Sequence, residues 1–190
     1  TLWDMNIAGP VHTARVISWN GVATYMAMAI GAPLGVMLNQ GLGVFGFAGL
    51  VALMGAAGFY LASRKPAVVV TVGQRVPFSQ VFRRVWVYGV ALGLGTIGFG
   101  VIATFITLYF SSRGWSGAAM TLTLYSLGFA GVRLVSGNAI TRFGGIKVSL
   151  VSFIVEAIGL FLLWHADSVL AADIGALLTG CGFSLIFPAL

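Results

Sequence analysis

Residues Met26 to Leu38 read MAMAIGAPLGVML, an uncharged run with Gly31, Pro33 and Gly35 crowded into its middle. In water this would be a poor helix. In hydrocarbon a lipid-facing backbone has no partner but itself, so a helix persists even through glycine and proline. The composition says which solvent applies. Hydrophobic residues make up 59% of the 190 and charged residues 7%, where a soluble domain carries roughly a quarter charged. Mean hydropathy is +1.02. There is too little polar surface here to cover a fold in water, so the chain is read as a membrane protein.

Crossing about 30 Å of hydrocarbon takes about 20 helical residues. Six stretches qualify: 16–38, 42–62, 85–110, 117–140, 146–164 and 169–189. All are apolar nearly all round, unlike the striped helices of a soluble core. The expected fold class is an all-α membrane protein with six transmembrane helices. Antiparallel threading puts Arg15, Arg64, Lys65, Arg75, Arg83, Arg84, Arg142 and Lys147 on one face. The other face has only Arg113. Basic loops face the cytoplasm, which orients the bundle. The net charge of +6 is thereby accounted for by loops. A nucleic-acid binder would gather such charge on one soluble face, so no nucleic-acid partner is expected.

The exterior loops NQGLG, SSRGWS and HADS are too short to fold. The longest connection, 63–84, is cytoplasmic and basic, and divides the chain into 1–62 and 85–190. Its end sets Phe78, Val81, Phe82 and Val85 against Ser79, Gln80, Arg83 and Arg84, which suits a short interfacial helix. Cys181 is the lone cysteine, so neither a disulfide framework nor a Cys/His metal cluster is expected. His12, His165 and Asp167 have no partner at ligand spacing. No catalytic triad, phosphate loop or dinucleotide fingerprint is present, so no enzyme, cofactor or metal is expected. The chain opens at Thr1 and stops at FPAL, which reads as an internal piece of a longer protein.

In lipid, helices associate through small residues that let backbones approach. Ala27, Gly31 and Gly35 recur every four residues on one face, extended by Thr24 and Asn20. Pro33 removes one helical hydrogen bond and predicts a bend. Gly31, Ala32, Pro33 and Gly35 resemble the fifth-helix signature of the major facilitator superfamily, Gly-Pro-x-x-Gly-Gly, with Ala32 for the first proline, Pro33 shifted one place and Val36 for the last glycine. GNAITRFGGIK (137–147) is similar to that family's loop signature. Gly137, Arg142, Gly144 and Lys147 fall on the pattern, Thr141 replaces its aspartate and Ile146 one basic residue. Two spans, a long basic connection and four spans resemble helices five to ten of a twelve-helix facilitator, of the bacterial arabinose-efflux-like (sugar/drug efflux) branch.

The resemblance implies the last two helices of an N-terminal bundle in 1–62, an inter-bundle linker in 63–84 and the first four helices of a C-terminal bundle in 85–190. It implies a monomeric secondary transporter in the bacterial inner membrane, moving a small organic solute, such as a sugar or drug-like compound, against protons. The fifth-helix signature favours efflux by antiport over uptake by symport. A channel or a non-transporting subunit is the more distant alternative, since no filter loop is visible. By the same resemblance the helices holding Asn20, Tyr25, Phe99, Thr104, Thr107, Tyr125 and Ser126 line or border the central cavity. Glycines 89, 93, 95, 98 and 100 are read as making the seventh helix pliable.

Glu156 lies about 15 Å into its span, where a bare carboxylate costs several kcal/mol. Arg133 is the expected partner, reaching along its own span. A proton carrier and a structural ion pair are both open. The peripheral place of the ninth helix in the family favours the pair. Asp173 is read as an interfacial residue. A cysteine placed at Gln74 is expected to react with a membrane-impermeant maleimide in inverted vesicles but not in intact cells. Labelling in cells would reverse the orientation.

Overall fold

The computed structural model describes residues 13–64, 77–136 and 138–190, with side chains for all of these but 13–15, 18 and 78. His12, Lys65, Arg75, Gly137 and the side chain of Arg15 lie outside that set, as does most of the basic connection. Among the described residues six helices follow one another: α1 Thr13–Ser63, α2 Phe78–Ser112, α3 Ala118–Val135, α4 Ala139–Phe143, α5 Gly145–Trp164 and α6 Val169–Ala189. There is no strand among the described residues.

Five of these helices are long and apolar enough to cross a membrane, against six expected spans. The difference is at α1. Its apolar part runs 45 residues from Trp19, about 68 Å at 1.5 Å per residue and more than twice the hydrocarbon thickness. Gly43 breaks it, with φ 66° and ψ 175°, a conformation open essentially to glycine alone. The Phe47 ring lies 3.8 Å from where a Cβ on Gly35 would stand. A straight helix would hold those two residues about 18 Å apart, so the chain turns back at Gly43. The turn expected across NQGLG is thus made at its last residue, and the two spans are 13–42 and 44–63.

Two further boundaries differ. The expected 117–140 span ends at Val135, and Ala139–Phe143 forms a separate short helix. α2 runs unbroken from Phe78, so the expected interfacial segment is its first turns, with Arg83 and Arg84 exposed. Pro77 sits at the N-cap, where a missing N–H costs nothing. The exterior turn after α2 is held by aromatic edges. Trp115 packs on Phe110 at 5.6 Å, and the Arg113 guanidinium lies 5.6 Å from the Trp115 ring.

The core is centred on α6, which packs chiefly on α5 and α3, with α1 against α3 and α2 laid across α3, α5 and α6. Glycine makes these contacts close. A Cβ on Gly180 would fall onto the Tyr125 carbonyl of α3, and one on Gly182 onto the Glu156 amide of α5. Apolar side chains gain little by leaving lipid for one another, so backbone-level contact supplies the dispersion and fit that hold the bundle. The face expected to do this in α1 does so only at Gly35, which lies against Phe47. Ala27 and Gly31 are exposed, and α1 instead buries Val22 and Ala29 and accepts a 2.9 Å bond from Thr123 Oγ1 at the Ala29 carbonyl.

Gly180→Ala is expected to destabilise the folded protein by about 1–3 kcal/mol, as overpacking does. Gly131→Ala, where nothing lies within 4 Å of the new carbon, is expected to stay within about 0.5 kcal/mol. Thermal unfolding of the two variants in one detergent checks both.

Candidate functional site

Five aromatic rings meet where α1, α2, α3 and α6 converge. Tyr25 stacks on Phe129 with centroids 3.6 Å apart. Phe99 meets Tyr25 edge-on at 5.7 Å and stacks on Tyr125 at 5.8 Å and on Phe183 at 6.2 Å. Beside this group lies a cavity of about 250 Å³. Tyr25, Phe129, Phe183 and Phe187 give it aromatic walls, and Asn20, Thr96 and Arg133 its polar edge. Few polar groups set among aromatic faces are what orient a small amphipathic solute.

Arg133 stands in the last turn of α3, where a cation complements the helix dipole, and is 4% exposed. Its Nη1 donates to the Ser184 carbonyl of α6, and its guanidinium lies 5.4 Å from the Phe129 ring. Ser184 Oγ donates back to the Phe129 carbonyl at 2.7 Å. Two reciprocal bonds therefore tie α3 to α6 at the cavity wall. Gly21 of α1 gives the guanidinium room, since a Cβ there would come within 3.4 Å of Cζ. At the other end of the same helix pair, Thr121 Oγ1 donates to Asp173 Oδ1 at 2.6 Å. Asp173, expected as an interfacial residue, thus fixes α3 to α6 as well.

The expected charge pair does not form. Glu156 is 4% exposed, and neither of its carboxyl oxygens has a hydrogen-bond partner among the described residues. Depth along a helix, which sequence gives, had matched the two groups; direction around the helix separates them. α5 turns Glu156 toward Gly98 of α2, where a Cβ would fall onto Oε1, while α3 turns Arg133 toward α6 and α1.

Among the other expected residues, Asn20 and Tyr25 line the cavity and Phe99 borders it. Tyr125 and Ser126 are fully buried. Ser126 Oγ donates to the Leu122 carbonyl of its own helix at 2.8 Å, so that hydroxyl is spent locally. Thr104 and Thr107 are exposed and take no part in the cavity wall; one residue of error in direction is 100° of rotation. Of the fifth-helix motif, Gly31 is exposed, Pro33 half-buried and Gly35 beside Phe47. In the loop motif, Gly144 takes φ 84° and ends α4. Arg142 lies 5.2 Å over the Phe143 ring, and Lys147 is exposed. Of the glycines expected to loosen α2, Gly95 and Gly98 are packing contacts, and Gly89, Gly93 and Gly100 have nothing within 4 Å of a Cβ. Phe129, Phe183, Thr96 and Ser184 were not singled out from sequence. Only a three-dimensional path puts Thr96 of α2 beside Arg133 of α3.

Long apolar helices joined by backbone contacts around an internal cavity define a multi-pass integral membrane protein. The chain belongs to the Major Facilitator Superfamily, which it matches over residues 5–190. It is 50% identical over 189 residues to a Salmonella paratyphi C protein described as an uncharacterized MFS-type transporter, YhhS, and 49% identical over 190 residues to the protein of that description from Escherichia coli K12. Each alignment takes in 100% of this chain and 47% of the relative, so the chain spans about half the length of the curated relatives it matches. No solved structure matches it.

Arg133→Leu is expected to lower stability by about 1–3 kcal/mol, because the Ser184 carbonyl loses a charged donor in a buried place. Ser184→Ala loses one neutral interhelical bond, worth about 0.6 kcal/mol in membranes. Melting curves of the two variants give the order directly.

Proposed function

We propose that the chain forms part of a secondary active transporter that exports a small organic solute in exchange for protons by alternating access. The observation that carries this reading is the cavity. It is bounded by four helices, has aromatic walls and one polar edge, and lies at the ends of α1, α3 and α6 nearest the basic connections. With basic loops cytoplasmic, that is the face from which an exporter loads. On the far side the path is filled by the Tyr25, Phe99, Tyr125 and Phe183 rings, and beyond them by the Thr121–Asp173 bond. A bundle open to one side and packed toward the other is one of the two states that alternating access requires.

Residues 1–62 then belong to the first helix bundle, 63–84 to the tether between bundles and 85–190 to the second. The protein works as a monomer in the bacterial inner membrane, with a small solute and protons as partners and no catalytic chemistry of its own. Uptake by proton symport is the second reading. It uses the same cavity and differs in the sign of the coupled proton movement.

That sign is measurable. Inverted vesicles bearing the full-length protein, acidified inside, are given a panel of pentoses, disaccharides and amphipathic aromatic compounds. Export by antiport is expected to alkalinise the lumen with at least one of them. Acidification, or no proton movement with any transported compound, counts against it. Asn20→Ala, which removes a polar group from the cavity edge, is expected to raise the half-saturating concentration about fivefold, equivalent to about 1 kcal/mol.

A further inference from the structure

One buried ionisable group has no use in the cavity or in the locks that hold α3 to α6. Glu156 sits about 16 Å from the start of α5, with both oxygens buried and without a hydrogen-bond partner among the described residues. Its surroundings are close on every side. Gly182 of α6 backs onto its amide, and Gly98 of α2 lies against Oε1 with Leu160 beside it. An ionised carboxylate in this setting would cost several kcal/mol. A neutral acid is the form the packed arrangement tolerates.

The contact with α2 gives that acid a connection to the cavity. Gly98 covers the carboxyl, Thr96 two residues earlier lines the cavity wall, and Phe99 next to it stacks into the aromatic group. These three positions occupy one helical turn. Anything that shifts the turn, such as a solute entering against Thr96 and Phe99, also shifts the cover over Glu156.

The titratable or charged side chains on the surrounding elements are Tyr125 and Arg133 on α3, Cys181 and Asp173 on α6, Tyr25 on α1 and Lys147 on α5 itself. α2 contributes none between Gly95 and Ile102. Asp173 is engaged by Thr121 and Arg133 by Ser184. Lys147 is exposed at the cytoplasmic end of α5. No other carboxyl is both buried and unbonded among the described residues.

We propose that Glu156 is a proton-binding site and that the Thr96–Phe99 turn of α2 couples its occupancy to the cavity. The proposal rests on the transporter reading and supplies its ion site. With the turn docked, the carboxyl O–H stays intact. When the turn withdraws, water reaches the group, the O–H bond breaks, the proton passes to that water and a hydrated carboxylate remains. Docking again requires the carboxylate to take up a proton from water.

The test uses the full-length protein in lipid nanodiscs and infrared difference spectra between about pH 5 and pH 9, reading the C=O band of a protonated carboxyl. The wild type is expected to show such a band that fades within the range. Glu156→Gln, a neutral isostere that fits the docked form, should abolish the band with at most a small change in melting temperature. Gly98→Ala, which places a carbon on Oε1, should shift the midpoint of fading, and gives the result even if the Gln variant does not fold. A band that survives in Glu156→Gln overturns the proposal, as does a pH-invariant band or a midpoint unmoved by Gly98→Ala. Loss of the band on adding sodium at constant pH would also overturn it, in favour of a metal-cation site. Failure of antiport with the band intact would strike the export reading alone, whereas antiport with a pH-invariant band would strike Glu156 alone.

Discussion

The absence of side chains at Gly180 and Gly182, on opposite faces of α6, is the constraint on which the rest of the bundle depends. Gly180 and Gly182 let the Tyr125 carbonyl of α3 and the Glu156 amide of α5 come up against α6 itself. In a bilayer, where apolar side chains have little to gain from one another, such contacts define the distance and angle of the helices. Once α3, α5 and α6 are set, the directions of Tyr125, Arg133 and Glu156 are set too. The polar bonds then act as a second layer. Thr121 to Asp173 at one end of α3 and Arg133 to Ser184 at the other hold the helix in register with α6.

The buried arginine and the buried glutamate show how far one dimension of information goes. Composition, span length and basic loops were enough to place both inside the membrane, and the argument that a buried charge needs a partner paired them. Each has instead solved its problem separately. The arginine takes a backbone carbonyl and an aromatic face. The glutamate is enclosed by glycines and left without a bond. Sequence spacing measures height along each rod well, whereas the rotation of one rod against another is fixed by which small residues meet.

The same division runs through the rest of the sequence reading. Apolar length marked the membrane helices, and glycine marked the turns at Gly43, Gly114, Gly117 and Gly144 though not the one at 165–168, and only the fold concentrates the turn after residue 38 at Gly43. α3 stops five residues short of its expected end, with a break at 136–138 before the short α4. Asn20 and Tyr25, conspicuous as polar and aromatic groups in an apolar helix, stand at the observed cavity, and Phe99 packs beside it. Thr104 and Thr107 were equally conspicuous and point elsewhere. The small residues singled out in α1, Ala27 and Gly31, are exposed, while Ala172, Ala176, Gly180 and Ser184, spaced every fourth residue in α6 and not singled out, are buried.

α2 differs from the other long helices of this core in how it is held. α3 and α5 meet α6 backbone to backbone, so moving either would break many contacts at once. Along its first half α2 rests on its neighbours through Gly95, against Ile186 and Phe153, and Gly98, against Glu156 and Leu160, whereas its second half is anchored by the buried side chains of Ile102, Ile106 and Phe110. The glycine contacts are between a bare backbone and the ends of side chains, which can slide or swing with little loss of packing. Gly89, Gly93 and Gly100 have nothing within 4 Å of a Cβ. Local motion belongs to elements with few buried contacts. On the proposed reading, such an element has to touch both solute and proton site, and α2 would do so where Thr96, Gly98 and Phe99 share a turn.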